Sequence, residues 1–143
     1  MKIVQISVFI ENKPGRLLEV VDTLAVNQVN IRAMSIADTS DFGILRLIVD
    51  QPELAYEKLK EKGLTASITN VLSVRMPDTP GGLAGVLRVL NGTGINVEYM
   101  YAFVSKSTDD ALVVFKVENI EEATEKLKGT GVDVLTREEV LRL

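Results

Sequence analysis

The 143-residue chain contains no cysteine, no histidine and no tryptophan. Without cysteine it forms no disulfide and offers no thiolate nucleophile, and without cysteine and histidine it lacks the side chains that hold most zinc ions. Imidazole acid–base chemistry is excluded as well. No glycine-rich stretch has the strand–G-x-G-x-x-G–helix context of a dinucleotide site. We therefore expect neither a metal nor a cofactor.

The chain also lacks a basic patch and a long apolar run. Sixteen Lys and Arg oppose twenty Asp and Glu, which gives a net charge of −4. Charges alternate in sign along residues 56–63 and 121–129, as on solvated helix faces, whereas phosphate binding needs a basic stripe. No apolar run approaches the roughly 20 residues that span a bilayer, and the alternating N-terminal residues indicate a strand rather than a signal peptide. We therefore expect a cytoplasmic protein that binds neither nucleic acid nor membrane.

What the chain does contain is an internal repeat. Pro14-Gly15 recurs as Pro80-Gly81, an offset of 80 − 14 = 66 residues. After two extra residues in a loop of the second copy, the register continues at an offset of 68. Because weak matches stay in register over nearly the whole length, we predict two modules, residues 1–69 and 70–143.

Each copy has the same order of patterns. An apolar alternation that indicates a strand is followed by the Pro-Gly turn, an amphipathic helix, two β-rich stretches that suit a hairpin, a second helix and a short strand. This β-α-β-β-α-β order predicts an α+β protein with two ferredoxin-like modules in tandem, each an antiparallel sheet with helices on one face. Modules of roughly 70 residues have thin cores, and we expect these two to join through sheet edges.

Two side-chain patterns predict faces of these elements. Four residues at helical spacing predict one face of the first helix: Leu17, Val21, Leu24 and Gln28. Leu18 and Ala25 widen its apolar stripe. Three aromatic residues alternate along the second strand of the second copy and predict its outward face: Tyr99, Tyr101 and Phe103. We interpret the aromatic face as a packing surface, because the acidic balance of the chain disfavours a base-stacking platform.

The Pro-Gly turn has two interpretations. Proline presets φ and glycine permits positive φ, so Lys13–Arg16 and Thr79–Gly82 both suit type II turns, with Asn12 and Asp78 fixing the turn entry. On this basis each turn is a structural connection between a strand and a helix, with no ligand required. The same atoms also suit a free amino acid. A helix N-terminus favours a carboxylate, glycine lets a ligand approach the backbone, and an Asn or Asp oxygen accepts from an ammonium. The paired glycines of the second turn would then open additional room.

The run Asn-x-Pro-Gly-x-Leu at residues 12–17, the Val-Asn-Ile at 29–31 and the order of elements resemble the ACT domain. This is a small-molecule-binding regulatory module attached to many enzymes of amino-acid biosynthesis. The first copy is especially similar to the ACT module of D-3-phosphoglycerate dehydrogenase, which binds serine. The resemblance covers essentially the whole chain, as two ACT modules, and it implies binding of a free amino acid.

In serine-binding ACT modules the ligand lies at the interface of two modules, between the turn of one and the asparagine that opens the second strand of the other. The resemblance implies one site made of Asn12, Pro14, Gly15, Arg16 and Leu17 with Asn96 and Val97. It implies another made of Asp78, Pro80, Gly81, Gly82 and Leu83 with Asn30 and Ile31. The two asparagines are equally well explained as strand-entry residues.

The chain departs from the serine-binding pattern at several positions. Ile10 and Met76 stand where that pattern has histidine, which disfavours serine as the ligand. Asp78 replaces the turn asparagine in the second copy, and Gly82 stands where the first copy has Arg16, which could fill or charge its own site. We therefore expect the two sites to be unequal, to the point that one of them could stand empty.

We expect a free-standing regulatory protein that binds a free amino acid, signals to a separate metabolic enzyme and forms a homodimer. The alternative is a regulatory subunit that acts mainly through protein–protein contacts, as the small subunit of acetolactate synthase is, although those subunits do not usually carry a second Pro-Gly copy. A purely structural role stays open. An enzyme is not expected, because the carboxylate pairs at 109–110, 121–122 and 138–139 are adjacent in sequence and do not face each other.

Overall fold

The computed structural model describes residues 3–104 and 109–142. The elements are β1 (Ile3–Glu11), α1 (Arg16–Val26), β2 (Ile31–Asp38), β3 (Phe42–Val49), α2 (Pro52–Glu61), β4 (Thr65–Pro77), α3 (Gly82–Thr93), β5 (Val97–Val104), β6 (Asp110–Val117), α4 (Ile120–Leu127), β7 (Asp133–Val134) and α5 (Arg137–Leu141). The order predicted for each copy is confirmed, and the α+β fold with it. The insertion predicted for the second copy falls between β5 and β6, where residues 105–108 lie outside the described ranges.

The chain folds as two compact units, Val4–Thr69 and a second unit that begins at Asn70 and includes Ile3. The boundary lies inside β4. From the sequence we expect a short strand at 64–69 that runs into the next copy at 71–77, and the structure has one continuous strand of 13 residues, Thr65–Pro77. No proline or glycine interrupts this strand before its last residue, and its β-branched residues favour extended backbone, which explains the continuity.

In the first unit the strand order is β2-β3-β1-β4. β3 pairs antiparallel with both of its neighbours, so that Leu45 lies opposite Val8 of β1 and Ile36 of β2. Alternate residues of each strand share a face, and one face packs against both helices. The core combines that face with the buried sides of α1 and α2: Ile6, Val8, Ile10, Leu45, Leu47, Val49, Val20, Leu24, Ala55 and Leu59.

Helix α1 buries a different stripe from the one that its spacing predicted. The buried residues are Val20, Thr23 and Leu24, whereas Leu17 is 40% exposed and Gln28 lies beyond the helix with a φ of 59°. The prediction was therefore wrong for Leu17 and Gln28, and also for Leu18 and Ala25, which are both exposed. Apolar residues occupy two adjacent stripes of this helix, and periodicity alone does not decide which of them faces the sheet.

In the second unit β6 lies between β4 and β5, and β7 pairs with the other edge of β4. Phe115 of β6 lies opposite Leu72 and Met100, on the face that packs against α3 and α4. The three aromatic residues of β5 lie opposite Lys116, Val114 and Leu112, on the other face of the sheet. The predicted outward orientation of Tyr99, Tyr101 and Phe103 is therefore confirmed.

The second unit ends in a short helix, α5, that was not predicted. Its first turn is closed by a capping box: Thr136 Oγ1 accepts from the N–H of Glu139 at 3.2 Å, and Glu139 Oε1 accepts from the N–H of Thr136 at 3.1 Å. The hydrogen bonds from Thr136, the backbone one foremost, lower the pKa of the Glu139 carboxyl. The Thr-x-x-Glu spacing was a local signal for this helix.

Candidate functional site

The first Pro-Gly turn leads directly from β1 into α1. Gly15 has φ 87° and ψ −14°, the values of the third residue of a type II turn. The N–H of Arg16 donates to the carbonyl of Lys13 at 3.3 Å, and the N–H of Glu19 donates to the carbonyl of Gly15 at 3.0 Å. The predicted turn type is confirmed, and the positive φ explains why glycine occupies position 15.

The second turn repeats this geometry. Gly81 has φ 88° and ψ −7°, and the N–H of Gly82 donates to the carbonyl of Thr79 at 3.0 Å. The N–H of Gly85 then donates to the carbonyl of Gly81 at 2.9 Å and starts α3. Both copies thus enter their first helix through one backbone conformation.

The second glycine of this turn is explained by backbone packing. A Cβ added at Gly82 would overlap with the carbonyl oxygen of Pro77, whereas a Cβ added at Gly81 would have nothing within 4 Å. The additional room expected at the paired glycines is therefore taken up by backbone at Gly82. The first copy accommodates Arg16 at the corresponding position, so the two helix entries differ in detail.

Asn12 connects the first turn with the β2–β3 hairpin. Its N–H donates to the carbonyl of Asp41 at 2.8 Å, and its Nδ2 donates to the carbonyl of Ser40 at 3.3 Å. With the amide nitrogen used in this way, the side chain retains Oδ1 as an acceptor. In the second copy the N–H of Asp78 donates to the carbonyl of Asp109 at 3.3 Å. Asn12 and Asp78 are both exposed, as an acceptor for a ligand's ammonium must be.

Charged side chains surround the first turn. Arg16 lies 3.6 Å from a carboxylate oxygen of Glu11 and 3.6 Å from one of Glu19, and Lys13 lies 3.0 Å from Glu11. The hydrogen bond from Lys13, followed by its charge, lowers the pKa of the Glu11 carboxyl. A groove of about 360 Å³ opens beside Arg16, between the turn and the α2–β4 loop, where Lys62 adds a further positive charge.

The start of β2 is tied to the end of β3. The N–H of Asn30 donates to Asp50 Oδ1 at 2.9 Å, and the N–H of Asp50 donates back to the carbonyl of Asn30 at 3.1 Å. Gln51 Nε2 donates to the carbonyl of Gln28 at 3.1 Å. Ile31 packs against the core of the first unit. Two side chains of the β3–α2 connection thus bind the backbone in front of β2.

The segment before β5 borders an open groove, whereas the segment before β2 is held by hydrogen bonds. Asn96 lines a groove of about 470 Å³ formed by the α3–β5 loop, the β6–α4 loop and the first turns of α4. Asn119 caps α4 by accepting from the N–H of Glu122 at 3.0 Å, and Glu122 pairs with Lys126 at 2.8 Å. Val97 packs against the core of the second unit.

These two grooves divide the predicted site residues. The groove beside Arg16 does not include Asn30, and the groove beside Asn96 includes no residue of the second turn. Leu17 is 40% exposed, whereas Leu83 packs against the core of the second unit. The pairing of each turn with the asparagine of the other module stays a prediction from the resemblance.

Four polar residues of the open groove were not predicted for any site: Glu118, Asn119, Glu122 and Lys126. Comparison of the two copies could have found one of them. Glu122 aligns with Leu54 at the offset of 122 − 54 = 68, so a charged residue replaces an apolar one at the start of the helix. Leu54 is half-buried and packs against the first core, whereas Glu122 is exposed.

Two further kinds of site were sought in the described ranges. Residues 3–104 and 109–142 contain no group of three or more His, Cys, Asp or Glu arranged to hold a metal ion. No helix within those ranges is both long enough and apolar enough to cross a membrane.

Two βαββαβ units, each entering its first helix through a Pro-Gly type II turn, define a tandem pair of ACT modules. The chain belongs to the ACT domain pair family, whose model matches residues 1–143.

Solved structures show the same architecture. Protein BT0572 from Bacteroides thetaiotaomicron is 41% identical over 100% of this chain and 98% of that one, with a TM-score of 0.93. The regulatory subunits of aspartate kinase from Thermus flavus and Thermus thermophilus are 19% and 21% identical, each over 87% of this chain and 89% of that one, with a TM-score of 0.62. At these identities the subunits share the fold. None of the curated protein sequences matches the chain.

Proposed function

We propose that this chain is a non-catalytic regulatory protein that binds a free amino acid at its Pro-Gly turns and signals the occupancy to a separate metabolic enzyme. The observation that carries the proposal is the shared turn geometry. In both copies a glycine at positive φ stands directly before a helix, with an exposed Asn12 or Asp78 beside it. Membership of the ACT domain pair family supports a regulatory role.

The chemistry follows from the two ends of an amino acid. The N–H groups at the start of α1 or α3 and the helix dipole favour the ligand's carboxylate. Asn12 Oδ1, or the carboxylate of Asp78, accepts from its ammonium. Asp78 attracts that ammonium more strongly than an amide does, while Arg16 adds positive charge beside the first turn. The two turns are therefore proposed to differ in affinity.

A thermal-shift screen against the twenty amino acids at millimolar concentration tests the proposal. A ligand that binds only the folded chain adds about 2.7 kcal/mol of stability at a hundredfold excess over its Kd. We expect one amino acid, or a chemically related few, to raise the melting temperature. No shift with any of the twenty, from a cooperatively folded sample, would remove the proposal.

Asn12→Ala is expected to weaken the binding of that amino acid by at least about tenfold, because hydrogen bonds to charged groups contribute roughly 1.5–3 kcal/mol. Isothermal titration calorimetry measures the loss. Asn91→Ala is the matched control, since Asn91 is an exposed asparagine on α3 outside the turns. Equal affinities for the two variants would show that Asn12 does not contact the ligand.

We further propose that the protein is a homodimer paired through β2. In the described sheet β2 lies at the end of the strand order with β3 as its neighbour, and Met34 and Ile36 on it are 44% and 50% exposed. The strand is self-complementary about Ser35. In an antiparallel pair, Met34 lies opposite Ile36 of the second copy, and Arg32 lies near the opposite charge of Asp38.

Ile36→Lys is expected to raise the dimer dissociation constant by at least about tenfold, because burying an isoleucine contributes roughly 1.5–3 kcal/mol and the symmetry counts each substitution twice. Sedimentation velocity across a dilution series measures it. Ile68→Lys serves as the control, since Ile68 is 48% exposed on a different strand, β4. A dimer that survives Ile36→Lys but dissociates with Ile68→Lys would contradict pairing through β2.

One observation favours the alternative, a regulatory subunit that acts mainly through protein contacts. On the outward sheet face of the first unit, Phe9 and Phe42 stack with ring centroids 4.9 Å apart. They are 47% and 42% exposed, and Ile44 beside them is 37% exposed. Exposed apolar clusters of this kind are typical of protein-binding surfaces. Under this alternative the amino-acid screen gives no shift, and Phe9→Ser weakens binding to the regulated enzyme.

A further inference from the structure

The two copies differ in how the segment before their second strand contacts the loop before their second helix. In the first unit, Asp50 and Gln51 bind the backbone of the segment before β2 through hydrogen bonds of 2.9 Å and 3.1 Å. At an offset of 68 the corresponding residues are Glu118 and Asn119. Asn119 instead caps its own helix at 3.0 Å, and a groove of about 470 Å³ is left between the two loops.

The groove of the second unit has an apolar floor and a charged rim. Val117 and Ala123 are buried at its base, while Glu118, Glu122 and Lys126 line it as exposed residues. The rim offers charges to the polar end of a ligand. We name this the Glu118 groove, defined by residues 94–96 and 117–126.

The rim carries one carboxylate in excess. Lys126 lies 2.8 Å from Glu122 and neutralises it. Glu118 forms no ion pair with any residue in the described ranges. With two glutamates and one lysine, the rim of the Glu118 groove has a formal net charge of 1 − 2 = −1. A ligand that adds one positive charge complements it.

We propose that the Glu118 groove binds an amino acid whose side chain ends in an ammonium group, with Glu118 as the counter-charge and Asn96 among the lining residues. The inference goes beyond the proposed function, because the groove contains no residue of either Pro-Gly turn and would be a separate amino-acid site. It also assigns that ligand to one of two unequal copies. In the first unit the equivalent corner is closed by Asp50 and Gln51, and half-buried Leu54 stands in place of Glu122.

The experiment removes the ammonium group of the ligand and the carboxylate of Glu118 separately. L-lysine and L-norleucine have side chains of similar length, and only lysine ends in an ammonium group. Isothermal titration calorimetry is carried out with both ligands on the unmodified protein, on Glu118→Gln and on Glu57→Gln. Glu57 is an exposed carboxylate on α2, so its substitution changes the net charge equally and leaves the groove intact.

We expect lysine to bind the unmodified protein about two- to fivefold more tightly than norleucine, the range for one solvent-exposed ion pair. Glu118→Gln should abolish this preference, and Glu57→Gln should retain it. In ¹⁵N–¹H spectra, lysine should shift the amide resonances of Asn96 and Glu118 more than those of Asn30 and Asp50. Equal affinities for the two ligands, or a preference that survives Glu118→Gln, would overturn the inference.

The outcomes also separate this inference from the proposed function. If another amino acid raises the melting temperature and lysine has no advantage over norleucine, the protein binds an amino acid but the Glu118 groove is not its site. If no amino acid binds, the proposed function fails and the inference fails with it.

Discussion

Gly82→Ala is expected to lower the free energy of unfolding by about 1–3 kcal/mol, the usual cost of forcing extra atoms into a packed site. The added Cβ would overlap with the carbonyl oxygen of Pro77. That oxygen belongs to the backbone at the end of β4 and cannot rotate away as a flexible side chain can. Relief requires the strand end or the helix entry to shift. Chemical denaturation followed by circular dichroism measures the loss.

Gly85→Ala provides the matched control for Gly82→Ala. Gly85 lies one turn further along the same helix, and a Cβ added there would meet nothing within 4 Å. Alanine should stabilise this position by about 0.5–1 kcal/mol, because glycine has more backbone freedom to lose on folding. The two glycine-to-alanine substitutions are thus expected to have opposite signs. A gain at both positions would mean that helix propensity, and not the contact with Pro77, sets the result.

Phe115→Ala is expected to cost about 3–5 kcal/mol of stability, because it removes a large buried side chain and leaves a cavity. Phe115 is 1% exposed and has the largest volume among the fully buried side chains. It lies opposite both Leu72 and Met100, so its ring contacts two strands as well as the helix layer. Urea denaturation measures the change.

Phe9→Ala removes the same number of atoms from a surface position and serves as the comparison. Phe9 is 47% exposed and keeps one aromatic partner, Phe42. Its loss should cost no more than roughly 0.5–1.5 kcal/mol for the aromatic pair, beyond a partial loss of burial. If Phe9→Ala destabilised the protein as much as Phe115→Ala, the outward face of the first unit would be covered in solution.

The fold and the turns were predictable because their causes are local. A Pro-Gly pair favours a type II turn. Each weak sequence pattern also occurs in both copies of the repeat. The buried stripe of α1 was less predictable, since Val20 and Leu17 both belong to apolar stripes and tertiary packing chooses between them. Helix α5 was not predicted, although Thr136 and Glu139 have the spacing of a capping box.

The site was only partly predictable for a different reason. A turn's backbone follows from its own residues, whereas a groove is formed by loops distant in sequence. Glu118 borders an open groove in the second unit, where Asn119 caps its own helix. At the equivalent position of the first unit, Gln51 instead donates to the carbonyl of Gln28. Asn and Gln differ by one methylene group, and the periodicity of apolar residues does not distinguish them.

The strand β4, Thr65–Pro77, passes from one repeat into the next without a linker. A half-chain that stopped at Thr69 would end in the middle of this strand, and one that started at Asn70 would begin there. Either cut would leave backbone groups without the pairing that the intact strand provides. Recombination can reorder or separate duplicated modules that are joined by a flexible linker. It cannot separate two modules that share a strand without cutting that strand. We therefore expect these two repeats to be gained and lost together.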